Sequence, residues 1–244
     1  MQAVILAAGA ATRLRPLTNT TPKCLLKIGE KSLLQLTMDN ILANGIKDFV
    51  FVTGYLNHMI EQFVNEKYPE LNCKFLINTD YENNNNSYSL WMTREVVNGP
   101  ILLLDSDILF DKDIIAELLN CGKESSLAVN FTHILDEEQM KVIIDDNGNV
   151  AKIGKQIPVT HSVGESIGIE VFSPYFVKGL YAILNRKITK EKKVNEFYET
   201  SFQEMIDSGS EMNHIYAVDV SRFMCMEIDT AEDYNKAQLI PNNS

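Results

Sequence analysis

Residues 2–9 read QAVILAAG, a buried-strand pattern over Gln2–Leu6 that breaks into a loop at Gly9. A short continuous apolar run stopped by glycine is the pattern of a strand buried on both faces. Such a strand needs helices above and below it, and the residues that follow alternate accordingly. CLLKI (24–28) leads to Ser32-Leu33-Leu34-Gln35, a capping box that opens a helix with Leu33, Leu36, Ile41 and Leu42 on one side and Gly45 at its end. DFVFVTG (48–54) predicts a second strand, and Asn57 caps a helix that turns Ile60, Phe63 and Val64 inward. CKFLIN (73–78) predicts a third strand, followed by an asparagine-rich loop and a helix from Tyr88 to Val97. ILLLDSD (101–107) is a fourth strand, and its unbroken apolar run predicts a central position. The expected fold is α/β, a Rossmann-like three-layer sandwich on a mixed, mostly parallel sheet.

From about Ser126 the rhythm changes. SLAVNF (126–131), KVIIDDNGNVAKI (141–153) and SIGIEVF (166–172) are strand-like, with a hairpin turn at Asp146-Asn147-Gly148-Asn149. Helices are expected over Tyr175–Leu184 and Glu196–Asp207, then strands HIYAVDV (214–220) and MCMEI (224–228), and a last helix capped by Thr230. The basic run Arg186–Lys193 reads as a solvated loop, with a mobile lid as its alternative. The tail from Pro241 to Ser244 reads as frayed.

The formal net charge of −11, with no dense run of Lys and Arg, argues against nucleic acid as a partner. A small anionic substrate stays open, because a few local cations outweigh a distant acidic surface. Cys24, Cys73, Cys121 and Cys225 have no CxxC spacing, so neither a zinc site nor a disulfide framework is suggested. The four histidines, His58, His133, His161 and His214, lack metal-ligand spacing and read as surface or loop residues. AVILAA is too short to span a membrane and has no basic flank, so a cytoplasmic location without membrane insertion is expected. A homo-oligomer is left open.

The chemistry-bearing motif begins where the first strand ends: Leu6-Ala7-Ala8-Gly9-Ala10-Ala11-Thr12-Arg13, with Pro22-Lys23 beyond. Small residues let the backbone approach a ligand closely, and its N–H groups can cradle phosphate oxygens while Arg13 and Lys23 bring positive charge. Asp105-Ser106-Asp107 ends the central strand, where ligands of open α/β sheets collect. Near the C-terminus, Glu227-Ile228-Asp229-Thr230-Ala231-Glu232-Asp233 ends a strand and opens a helix; Thr230 fits the cap, which leaves Asp229 available.

These residues resemble the sugar-1-phosphate nucleotidyltransferase superfamily, whose signature is LAAGxGxRLxPLTxxxPKxLL. Within it the chain looks most like the bacterial phosphocholine and 2-aminoethylphosphonate cytidylyltransferases, from the N-terminus to about Ala237. Ala11 stands where the family usually has its second glycine, and alanine does not enter positive φ cheaply. The resemblance implies a single domain over 1–244, with a nucleotide-binding half (1–125) and an acceptor-side half (126–240). It implies that Leu6 to Ala11 bind the nucleotide, that Arg13 binds the triphosphate and that Lys23 neutralises the α-phosphate. It assigns Asp107 and Asp229 to Mg²⁺, with Asp105 in support.

Asn85, Asn86, Tyr88, Ser89 and Leu90 resemble the NN-x-YSL segment of the cytidylyltransferases, which favours CTP; Asn83 and Asn84 read as plain polar loop. Gly164–Ile169 and Asn195–Glu199 resemble acceptor-side segments, which nominates Glu165, Tyr198 and Glu199 for a small phosphate or phosphonate with a cationic head. In that reading an ammonium sits on the Tyr198 face beside the carboxylates, while Phe197 and Trp91 are core. The expected reaction is transfer of CMP from CTP with release of pyrophosphate. Its rivals are a sugar-1-phosphate uridylyl- or thymidylyltransferase, a glycosyltransferase, and a nucleotide-binding module without turnover.

Overall fold

The computed structural model describes residues 1–132 and 134–240. The readings of His133 as a surface or loop residue and of the tail from Pro241 to Ser244 as frayed fall outside them. Strand β1 (Gln2–Ala7) is followed by a loop and two short strands, β2 (Lys27–Ile28) and β3 (Lys31–Ser32). Then come α1 (Leu33–Ala43), β4 (Asp48–Thr53), α2 (Asn57–Lys67), β5 (Asn72–Ile77), α3 (Asn86–Met92), β6 (Ile101–Asp105), β7 (Ile108–Phe110) and α4 (Asp113–Asn120). The second half contributes β8 (Ser126–Asn130), β9 (Lys141–Ile144), β10 (Val150–Gly154), β11 (Gly164–Phe172), α5 (Pro174–Thr189), α6 (Glu199–Asp207), β12 (Tyr216–Asp219), β13 (Cys225–Glu227) and α7 (Ala231–Ala237).

Nine strands form one mixed sheet in the order β10-β9-β11-β6-β1-β4-β5, with β8 paired to β11 and β12. The block β6-β1-β4-β5 is parallel, and β11 runs antiparallel to β6. β1 explains its own sequence. Ala3, Ile5 and Ala7 enter the core under α1, α2 and α4, while Val4 and Leu6 enter the core under α3, α5 and α6. With both faces covered, a strand has no polar side to show, so its sequence is continuously apolar. A third, smaller cluster joins Leu14, Leu26, Ile28 and Leu33 to Ile228 and Ala237, pinning the loop after β1 to the C-terminal α7.

Local chemistry sets most boundaries as expected. The Ser32 hydroxyl accepts from Gln35 N–H at 3.2 Å to start α1, and Thr230 with Asp233 forms a full capping box on α7. Three readings need correction. Asn57 does not cap α2: Leu56 holds that position in the left-handed region, and the Asn57 amide turns back to Gly54 O at 3.2 Å. The helix expected to reach Val97 stops at Met92 and tightens into a 3₁₀ turn over Thr93–Glu95. The basic run is a solvated loop only in its second half: α5 continues to Thr189, and residues 190–193 beyond it are exposed. Lys187 within the helical half is buried, its ammonium held by Glu196 Oε2 at 3.1 Å and Thr200 Oγ1 at 3.0 Å, while Arg186 pairs with Glu191 and Glu204. Partners 9 and 13 residues on, invisible to a local charge pattern, make that burial tolerable. Among the described residues no helix is long and apolar enough to cross a membrane.

Candidate functional site

A cleft of about 440 Å³ opens at the carboxyl ends of β1 and β6, where the parallel block meets antiparallel β11. Its first wall is the loop after β1. Ala8 O accepts from Tyr55 N–H at 3.0 Å, and Gly54 approaches so closely that a Cβ there would lie 2.6 Å from that oxygen. Ala11 sits at φ 45°, ψ 53°, the left-handed conformation its side chain disfavours, and its carbonyl accepts from Leu14 N–H at 3.1 Å and from buried Thr18 Oγ1 at 2.9 Å. Ala10 is not among the residues that line the cleft, but among the described residues no acceptor takes the N–H of Gly9 or Ala11, which line it with Arg13 and Lys23, so these donors remain for an anion. The alanine thus adopts the geometry a glycine would, at a cost of about 1–2 kcal/mol. Ala11→Gly is expected to raise stability by about 0.5–1 kcal/mol, after the extra freedom glycine gives the unfolded chain is subtracted. Urea unfolding reads this, and a fall in the midpoint would mean that the Ala11 methyl earns its place by packing.

The second wall brings together residues far apart in sequence. β13 pairs antiparallel with β7, Glu227 opposite Ile108, and Ile228 N–H reaches Asp107 O at 2.9 Å. That ladder, with the small apolar cluster behind it, sets Asp229 beside Asp107. Lys23 Nζ stands between them, 3.0 Å from Asp107 Oδ2 and 2.6 Å from Asp229 Oδ1, and Arg13 reaches Asp229 Oδ2 at 2.6 Å. Burial alone would depress the Lys23 amine, but the two carboxylates outweigh it and hold its pKa above the ordinary value. Burial likewise disfavours the Asp229 anion, and Lys23 and Arg13 reverse this to hold its carboxyl below the usual range. An ammonium between two carboxylates marks a place where positive charge is favoured and hard oxygen donors converge. Among the described residues no group of three or more His, Cys, Asp or Glu is arranged around a metal. The pair therefore fits an ion that completes its shell with water and substrate oxygens, as Mg²⁺ does.

The asparagine segment forms the third wall. Asn78, not singled out in the sequence, is buried at the end of β5, where its amide joins Asn84 Oδ1 at 2.8 Å and Ser89 Oγ at 3.1 Å. Asn84, read as plain loop, thereby lines the cleft along with Asn85, Asn86 and Ser89. Asn85 caps α3 by accepting from Asn86 N–H at 2.8 Å. A lone Asn at a strand end carries no periodic signal, which is why Asn78 escapes a reading of sequence.

On the acceptor side two aromatics exchange places. Tyr198 is wholly buried, and its hydroxyl donates to Asp105 Oδ2 at 3.0 Å, so its face is not available in the cleft. Phe197, read as core, is 37% exposed and lines the cleft, with Lys155 Nζ 4.9 Å from its ring centre. The reason lies in where α6 begins, at Glu199 and not Glu196: Phe197 stays outside the helix, while Tyr198 holds its N-cap position. Trp91 is partly buried and bonds Asn185 Oδ1 at 3.1 Å, with the Arg94 guanidinium 3.7 Å over its ring. Glu165 and Glu199 both line the cleft. Gly168 makes room for Asp105: at φ +69° in a bulge of β11, it would put a Cβ 2.9 Å from Asp105 Oδ2.

Among the residues that line the cleft, carboxylates outnumber cations, seven against Arg13, Lys23 and Lys155. Glu199 is 6% exposed and its Oε2 lacks a partner; burial pushes its carboxyl up to about 7, against smaller opposing effects of a backbone hydrogen bond and Lys155. A carboxyl raised on folding adds no penalty below its unfolded pKa, and stability is lost as pH climbs through the folded value. Glu199→Gln is therefore expected to match the parent near pH 5 and to exceed its stability by about 2–3 kcal/mol at pH 8. Denaturant unfolding at the two pH values checks this; an equal gap at both would mean that Glu199 is already ionised and compensated.

Residues 2–220 match the nucleotidyl transferase family. The chain is 28% identical over 256 residues to a CTP:phosphoglutamine cytidylyltransferase of Campylobacter jejuni, covering 96% of this chain and 97% of that protein. It is 25% identical over 248 residues to the choline-phosphate cytidylyltransferase of Streptococcus pneumoniae, covering 100% and 99%. The inositol-1-phosphate CTP transferase of T. maritima superposes with a TM-score of 0.80 at 22% identity, covering 99% of this chain and 96% of that one.

Proposed function

The chain belongs to the nucleotidyl transferase family, and from that premise we propose that it transfers CMP from CTP to a small phosphate or phosphonate with a cationic head. The observation that carries the acceptor class is Glu199, which lines the cleft with Phe197 and whose buried Oε2 has no partner among the described residues. A cationic head suits a carboxylate beside an aromatic face, and a cation–π contact contributes about 0.5–2 kcal/mol. The CTP:phosphoglutamine and choline-phosphate cytidylyltransferases that the chain resembles over nearly its whole length support the choice of CTP. So does the asparagine wall, whose amides match a pyrimidine edge.

In this reading an oxygen of the acceptor phosphate attacks the α-phosphorus in line, a P–O bond forms, and the bond to the bridging oxygen breaks to release pyrophosphate. The attacking oxygen is already anionic at neutral pH, so no general base is needed. The N–H groups of Gly9 and Ala11 cradle phosphate oxygens, Arg13 clamps the triphosphate, and Lys23 neutralises charge on the α-phosphoryl oxygens. Asp107 and Asp229 would hold Mg²⁺, which supplies Lewis-acid neutralisation of the triphosphate when bound.

The test is pyrophosphate release with each of four nucleoside triphosphates against phosphocholine, 2-aminoethylphosphonate and glucose-1-phosphate. Highest kcat/KM for CTP with a cationic acceptor is expected. Preference for glucose-1-phosphate would overturn the acceptor class, and preference for UTP would overturn the base.

A further inference from the structure

The two sides of the cleft are stitched together at one place. Asn85 N–H donates to Val194 O at 3.0 Å, and Tyr198 N–H donates to Asn86 Oδ1 at 2.9 Å, across 112 residues of chain. Tyr198 occupies the N-cap position of α6 and caps it with no side-chain bond. The first N–H groups of any helix lack intrahelical partners, and a main-chain donor held inside the protein must find an acceptor. Asn86 supplies one from the opposite wall. Its oxygen is thereby committed, so the amide cannot flip without leaving Tyr198 N–H unpaired. What remains for the cleft is Nδ2, a donor only. Asn86 therefore faces a ligand acceptor, such as a pyrimidine carbonyl, while its other end holds the backbone that carries Phe197 and Glu199.

Building on the substrates proposed above, we propose that Asn86 is a positioning residue for the acceptor wall as well as a nucleotide contact: its oxygen holds Tyr198 N–H, with Glu199 one residue later, while Nδ2 serves the nucleotide.

Two variants separate the two ends of the side chain. Asn86→Ala removes both, and the acceptor KM is expected to rise about 5- to 20-fold, the loss of one well-placed hydrogen bond. Asn86→Asp keeps an oxygen for Tyr198 N–H and loses the Nδ2 donor, so the nucleotide KM rises while the acceptor KM stays within about twofold of the parent. Hydrogen exchange of the Tyr198 amide should quicken in Asn86→Ala and not in Asn86→Asp. An unchanged acceptor KM and unchanged Tyr198 exchange in Asn86→Ala would overturn the proposal, as would an equal rise in acceptor KM for both variants. The kinetics use whichever triphosphate and acceptor the parent turns over fastest. A preference for UTP or a sugar phosphate then ends the substrate reading without touching this test, and the exchange measurement needs no turnover at all.

Discussion

Lys23→Ala is expected to lower kcat by roughly 100- to 1,000-fold, the usual loss when one preorganised charge-stabilising donor leaves a water-poor site. The Lys23 side chain is only 11% exposed and stands where Asp107 and Asp229 converge, so little water screens its charge. Charge that spreads over phosphoryl oxygens in the transition state gains more from a fixed cation than the ground state does, so the loss should fall on kcat more than on the KM for CTP. Lys23→Arg should rescue little, because a planar fork does not replace a point charge between two acids. The fold should survive, since the larger apolar clusters do not depend on this ammonium. Circular dichroism and the unfolding midpoint check that, and rapid-quench or steady-state turnover checks the rate. Near-parental kcat at saturating substrates would remove Lys23 from the mechanism.

Asp107→Ala and Asp229→Ala should each reduce Mg²⁺-dependent turnover by about 100-fold or more, since loss of several kcal/mol of charge stabilisation corresponds to that factor. The double variant should be little worse than either single one, because residues that act as one unit are strongly non-additive. The motivation is geometric: both carboxylates lie within 3.0 Å of a single amine, although 122 positions separate them in sequence (229 − 107). Turnover measured against Mg²⁺ concentration for the parent, both singles and the double distinguishes the outcomes. Losses that multiply independently would mean two separate roles and no shared ion.

Where sequence was sufficient, the reason is local. The centres of β1, β4 and β6 are apolar because each is buried on both faces, and the caps at Ser32 and Thr230 are made by side chains three residues from their partners. The loop from Ala8 to Lys23 is likewise legible as a ligand-facing segment, since its small residues and its two cations, Arg13 and Lys23, lie close together in sequence and line the cleft in the fold.

Where it was not sufficient, the deciding partner lies far along the chain. Whether Phe197 or Tyr198 enters the cleft depends on where α6 begins. That start is set with Asn86 accepting Tyr198 N–H, and no periodicity within Asn195–Glu199 contains this information. Lys187 could be buried in a basic run only because Glu196 and Thr200 return to meet it. Ala11 shows the same division from the other side. Its small size was readable, but its left-handed backbone is imposed by the carbonyl bonds to Leu14 and buried Thr18, which only the folded loop brings together. By itself, then, the sequence determined which strands are doubly buried, where the small-residue loop with Arg13 and Lys23 lies and which family the chain resembles, because those follow from periodicity and from residues adjacent in the chain. The tertiary structure alone decided that Lys23, Asp107 and Asp229 share one point and that Phe197 rather than Tyr198 lines the acceptor wall, because strand register and helix starts are settled by long-range hydrogen bonds and packing.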